Sequence, residues 1–272
     1  MGLVGLILFG LGLGVASAEV EVFERSAARD IRSRLQGDNA KVDVDVMLDG
    51  FRFGSVATAD INAENFSLEG LPLFTEPDRS TAGRIGNLRL NLRDFVLRGL
   101  KVEELKADIP GCRFDLNLAL KKRELRLSRS GVGDGFVKIH QDDLARWIAR
   151  KFAEIKTCRV DASRGTVLVE GYGEFLIVKT EFQVLAKLKA VDGTKLVLSD
   201  AKIWFNWQRA DAQASEQLLK TLNPVVDLSA DLGLYDAVMV EEIDARDGYV
   251  TARGKTKIPT KPTADPLTLL RL

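Results

Sequence analysis

Residues 175–191 read FLIVKTEFQVLAKLKAV. Leu176, Val178, Phe182, Val184, Ala186 and Leu188 fall on one side of a two-residue repeat, and Lys179, Glu181, Gln183, Lys187 and Lys189 on the other. Such alternation is the mark of a half-buried strand. With no Gly or Pro to interrupt it, the stretch predicts one strand about three times the usual ~5–6 residues. At ~3.3 Å per residue it would run for about 50 Å. A sheet of that length twists and coils, and a coiled sheet needs something to wrap around.

Working outward, Asp192-Gly193 is a hairpin signal, and 194–204 pairs back. Upstream, Gln141 to Lys156 carries Leu144, Trp147, Ile148, Phe152 and Ile155 at helical spacing, with Asp142 and Asp143 in the first turn. A second amphipathic helix is predicted from Val20 to Leu35, where Phe23, Ala27, Ile31 and Leu35 recur every fourth residue before Gly37. Between the helices, alternating strands are predicted around VDVDV (42–46), 55–64, NLRLNLRDF (87–95) and 105–109, with a further strand over 112–120. A short helix over 212–222 ends at Asn223-Pro224, and a last hairpin turns at Arg246-Asp247-Gly248. Helix-then-strands thus occurs twice, as a repeat of pattern without residue identity. The predicted fold is α+β: long, strongly curved antiparallel β-sheets wrapping amphipathic helices, in pseudo-repeated helix-plus-sheet halves.

Leu3 to Val15 is apolar, glycine-rich and uncharged, and Ala16-Ser17-Ala18 supplies an A-x-A cleavage pattern. The run is short for a membrane-spanning helix. No Lys or Arg precedes it, so cleavage after Ala18 and retention as an anchor both remain open. Residues 1–18 are therefore expected to be a signal, 19–258 a single domain, and 259–272 a loose tail with three prolines. An exported, periplasmic or cell-envelope location follows. Cys112 and Cys158 are the two cysteines; two separate thiols and a disulfide are both compatible with export.

The 39 basic residues equal the 39 acidic ones. That balance gives no reason to propose nucleic acid, which needs a basic surplus. His140 is the single histidine. It precedes the predicted helix in IHQDD and reads as a cap. No G-x-S-x-G elbow, H-E-x-x-H or C-x-x-C spacing occurs, so no catalytic residue, metal site or cofactor is expected. Asp43 with Asp45, and Glu241 with Glu242, read as solvated faces.

Two segments fit a membrane surface. Leu71, Leu73 and Phe74 crowd around Pro72 in a loop that breaks the strand pattern, and Trp204, Phe205 and Trp207 lie between Lys202 and Arg209. Packing of either against the protein's own core is the competing reading.

The helix leading into VDVDV, the strand NLRLNLRDF, the segment VKIHQDDLARWI before a second long sheet, and LNPVVDLSADLG followed by the DGYVTARG hairpin together resemble the bacterial LmeA-type phospholipid-binding proteins. That family is similar in fold to tubular lipid-binding domains, the group of the bactericidal permeability-increasing protein. The resemblance implies phospholipid, or another acyl lipid, as partner, and a non-enzymatic role. It carries over no motif residue by residue. The expected lipid-facing residues therefore rest on facing patterns alone: Phe23, Ile31, Leu35, Leu144, Ile148, Phe152, Val178, Phe182 and Val184. The expected transient membrane contacts are Leu71, Leu73, Phe74, Trp204 and Trp207. The alternative is a structural envelope protein whose groove is filled by its own side chains.

Overall fold

The computed structural model describes residues 20–260 apart from 22–23, 50–53, 123 and 176–177. The expected signal, Phe23 and most of the expected tail lie outside these residues. The order is α1 (24–32), β1 (Lys41–Leu48), β2 (Ser55–Glu64), β3 (Ser67–Leu68), β4 (Gly83–Leu97), β5 (Leu100–Phe114), α2 (Leu116–Lys122), β6 (Leu127–Arg129) and β7 (Gly133–His140). Then come α3 (Gln141–Lys151), β8 (Ile155–Ser163), β9 (Thr166–Phe175), β10 (Val178–Val191), β11 (Lys195–Phe205), β12 (Gln208–Arg209), α4 (Ala212–Leu222), β13 (Val226–Asp227), β14 (Val238–Arg246) and β15 (Tyr249–Thr256).

Nine strands form sheet A in the order β1-β2-β4-β5-β7-β15-β14, with β3 beside β4 and β6 beside β5. Strands from both ends of the chain meet in it. Six strands form sheet B in the order β12-β11-β10-β9-β8, with β13 on β11, and this sheet curls into a half-barrel. One reason for the bend is Gly171: a Cβ there would meet the Thr157 carbonyl at 2.1 Å and the Phe182 ring at 2.9 Å. The sheets join where Gly165 N–H donates to Ala245 O (2.8 Å) and Gly248 N–H donates to Ala162 O (3.0 Å).

Several expectations are corrected. The stretch 175–191 is two strands, because β9 ends at Phe175 and β10 returns from its partner Val178. Paired Phe175 and Val178 share a face although three residues apart, and the unbroken apolar run FLIV hides that change of phase in the sequence. The longest strands are instead β4 and β5, 15 residues each. Sheet A is not wholly antiparallel: β2 runs parallel to β4. The strand expected over 112–120 stops at Phe114, and Leu116–Lys122 is helical. Asp115 Oδ1 accepts the Leu118 N–H at 3.1 Å and so starts that helix. Helix α3 ends at Lys151 rather than Lys156, with Phe152 as its C-cap, and α1 ends at residue 32 rather than Leu35. The two sheets are unequal in size and pairing, so the sequence's repeated pattern does not produce two like halves.

The apolar interior has two parts along the inner face of sheet A. One gathers α3, α4, the inner face of sheet B and the Phe95–Val102 end of sheet A; the other lies beneath α1 and α2. Ile31, Val42 and Leu105 touch both, so the interior is continuous. Helix α3 packs against β5 and β7 of one sheet and β8 of the other. His140 caps it: its Nδ1 accepts the Asp142 N–H at 3.2 Å, as the sequence implied.

Candidate lipid-binding cleft

Six of the expected lipid-facing residues come together. Leu35, Leu144, Ile148, Phe152, Phe182 and Val184 are all buried in the larger core. Ile31 lies at the junction of the two cores, and the side chain of Val178 is outside the described residues.

A narrow apolar gap lies elsewhere, between α1 and sheet A. It holds about 10 Å³ and is lined by Ala27, Val44, Val46, Val56, Ala59, Ile61, Ile85, Phe114 and Leu125. Its construction is simple. β1 and β2 present alternate residues inward, and the small Ala27 and Ala59 leave room where larger side chains would meet. Sequence reasoning had placed Val44 and Val46 on one strand face and Ala27 on the helix stripe. It missed them as a site because the signal is small side chains opposite one another, which only the register reveals.

Helix α1 is the cover. Its Glu24 carboxylate accepts the Val46 N–H at 2.8 Å, on the free edge of β1. Arg34, just past the helix, donates to the Pro72 carbonyl at 3.2 Å and pairs with Asp30 at 2.5 Å. Around Asp45 stand Asp43, Glu24 and Asp60. Partial burial first, then Asp43, Glu24 and Asp60, push the Asp45 carboxyl above its ordinary pKa. The acidic edge is therefore under mild repulsion at neutral pH.

The expected membrane contacts divide. Leu71, Leu73 and Phe74 are half-buried. Leu73 packs on the core beneath α1, and the Phe74 ring lies 6.2 Å from that of Tyr235. Trp204 is half-buried, whereas Trp207 is 74% exposed. Trp207 occupies a two-residue turn with Asn206, and both have positive φ (65° and 45°). An open polar recess of about 560 Å³ lies at the β8–β9 and β14–β15 turns, among Gln141, Asp161, Arg164 and Arg246.

Cys112 lies in β5 and Cys158 in β8, and both are free thiols. Burial raises both, Cys158 to about 12, so neither supplies a thiolate nucleophile. Among the described residues no group of metal-ligating side chains gathers, and no helix is long and apolar enough to cross a membrane.

The protein is thus an α+β fold with an all-apolar gap beneath a helix held at a sheet edge. The chain belongs to the LmeA-like phospholipid-binding family, whose pattern matches residues 67–255. No curated protein and no solved structure matches it. The match includes the cleft residues Ile85, Phe114 and Leu125, while α1, β1 and β2 precede it.

Proposed function

We propose that the protein holds the acyl part of a phospholipid in the cleft beneath α1, without catalysing a reaction. It does so in the cell envelope, reached through the apolar segment before residue 19, and exchanges lipid during transient contact with a membrane. The observation that carries this reading is the all-apolar lining of the narrow gap between α1 and sheet A, in a member of a phospholipid-binding family. Burying a methylene contributes ~0.8 kcal/mol, so an acyl chain of about a dozen methylenes offers on the order of 10 kcal/mol before ordering costs. No specific polar contact is then needed for retention. The gap of about 10 Å³ admits an acyl chain only once α1, tied to the β1 edge through Glu24, is displaced.

The test is mass spectrometry of lipid extracted from the natively purified protein, beside Ala59→Phe, which fills the cleft. The parent is expected to carry phospholipid and the variant to lose it while remaining folded. Equal lipid in both, or none in the parent, would reject the reading. A structural envelope protein is the second reading. It is favoured by the close packing of six of the residues first expected to face lipid, and it predicts lipid-free protein.

A further inference from the structure

Arg84, Arg113 and Arg129 stand side by side across three adjacent strands. Arg84 is the register partner of Arg113 in β4 and β5, and Arg113 that of Arg129 in β5 and β6. Directly opposed residues share a face with Cβ atoms ~4.5–5.5 Å apart, and like charges so placed destabilise a sheet. Elsewhere on this face the sheet pairs opposite charges, as Arg89 does with Asp60 and Asp108. Among the described residues the three guanidinium groups make neither ion pair nor hydrogen bond, although the chain as a whole has no net charge. Ser55, the β2 partner of Arg84, donates its hydroxyl to Asp49 at 2.9 Å, and Asp60 lies five residues along β2, roughly 16 Å from Ser55. Glu76 and Glu124 are taken by Arg79 and Arg126.

The row lies at the rim of sheet A: Arg84 is the second residue of β4, and Arg113 the last but one of β5. The neighbouring residues Ile85 and Phe114 line the cleft from the other face. At the same rim, Met47 and Leu48 end β1 at 64% and 46% exposure, and Leu120 of α2 is 57% exposed. The junction is close, since a Cβ on Gly54, beside the β2 start, would meet the Leu116 side chain at 2.6 Å. Helix α2 adds Lys121 and Lys122 in its last turn, again without acidic partners among the described residues.

We propose that this rim docks on a bilayer surface carrying anionic phospholipid. The arginine row and the α2 lysines meet the headgroup phosphates, and Met47, Leu48 and Leu120 meet the interface. Charge complementarity and continuity with the apolar cleft argue for that occupant, and the proposal rests on the lipid-binding reading above. A lipid leaving such a bilayer would reach the cleft without crossing the polar faces of sheet A.

The experiment is flotation of the full chain with vesicles of phosphatidylcholine alone and of phosphatidylcholine mixed equally with phosphatidylglycerol. The parent is expected to bind the mixed vesicles, to release them as salt rises, and to ignore the neutral ones. Replacing all three arginines, Arg84→Gln with Arg113→Gln and Arg129→Gln, should weaken binding on the order of 100-fold, from roughly fivefold per cation at an anionic surface. The thermal midpoint of that variant should hold or rise, because opposed like charges are removed. Leu120→Gln should weaken binding severalfold with folding unchanged. Undiminished binding by the triple variant, equal binding to neutral vesicles, or equally tight binding of soluble heparin would overturn the proposal. Lipid extracted from the triple variant separates the two readings. Normal lipid content with lost flotation supports docking, whereas salt-sensitive flotation by a lipid-free parent leaves docking standing and rejects the cleft.

Discussion

Glu24 and Val46 are joined across the open edge of sheet A, carboxylate to backbone N–H, at 2.8 Å. A charge-assisted bond to a half-buried amide contributes roughly 1.5–3 kcal/mol. It ties α1 to the edge of β1. Glu24→Ala should therefore release α1 selectively. Hydrogen exchange of amides 24–32 is expected to accelerate by about tenfold or more while that of α3 stays constant. An unchanged rate at α1 would show that apolar contact alone keeps it down.

Asp45 sets the pH response of the same edge. Its folded pKa is raised, first by burial and then by Asp43, Glu24 and Asp60. The folded state thus holds this proton more tightly than the unfolded chain, and stability falls as pH rises through the raised value. Asp45→Asn should stabilise the protein at neutral pH and make no difference near roughly pH 3, below the ordinary carboxylate value of ~3.9. Paired urea midpoints at the two pH values test this, and the gain should shrink in high salt because the group is largely solvated. A gain of the same size at both pH values would contradict it.

Phe152 and Ala59 distinguish the filled core from the cleft. Phe152 is buried beside Ile148 and Leu144. Truncation to Ala should lower stability by about 3–5 kcal/mol and leave the lipid complement of the surviving folded protein unaltered. Ala59→Leu should do the reverse: lower lipid content, with a stability change within about 1–3 kcal/mol from crowding. Denaturant melts combined with lipid extraction give both readings. Loss of lipid from Phe152→Ala would move the binding space into the larger core.

Trp207 holds φ at 65°, a conformation that a bulky residue adopts only under strain, at the exposed tip of the β11–β12 turn. Trp207→Gly should raise stability by about 1 kcal/mol, seen as a higher urea midpoint, since Asn-Gly is the favoured pair for a turn with two positive φ values. A lower midpoint would mean that the indole makes a stabilising contact.

Much of the architecture was legible because burial imposes period. The β10 face with Phe182 and Val184, the α3 stripe, the His140 cap and the bounds of α4 all follow from spacing and end signals. The failures have physical causes too. Leu116, Leu118 and Leu120 alternate, yet the Asp115 cap and leucine's helix propensity make the segment helical. The parallel β2–β4 pairing leaves no local mark, because pairing direction is decided by the path of 65–82 and not by either strand. Inward-facing residues were recognisable, but whether a face meets another side chain or empty space depends on register. That is why Ile148 and Phe152 were chosen and Ala27 and Ala59 were overlooked.

The parallel pairing of β2 with β4 also dictates an order of assembly. β4 and β5 are joined through Arg98-Gly99 and can zip from that turn within microseconds, as local hairpins do. β2 gains its ladder on β4 only after 65–82 has doubled back, so loop closure precedes any reward. The N-terminal wall, with β1, β2 and α1, then docks after the β4–β5 hairpin, while β15 closes a still longer loop to reach β7, where Tyr249 pairs with His140. The β2–β4 seam, formed only after that loop closes, runs beside the apolar gap, so lifting the N-terminal wall would retrace one step of the molecule's own folding path.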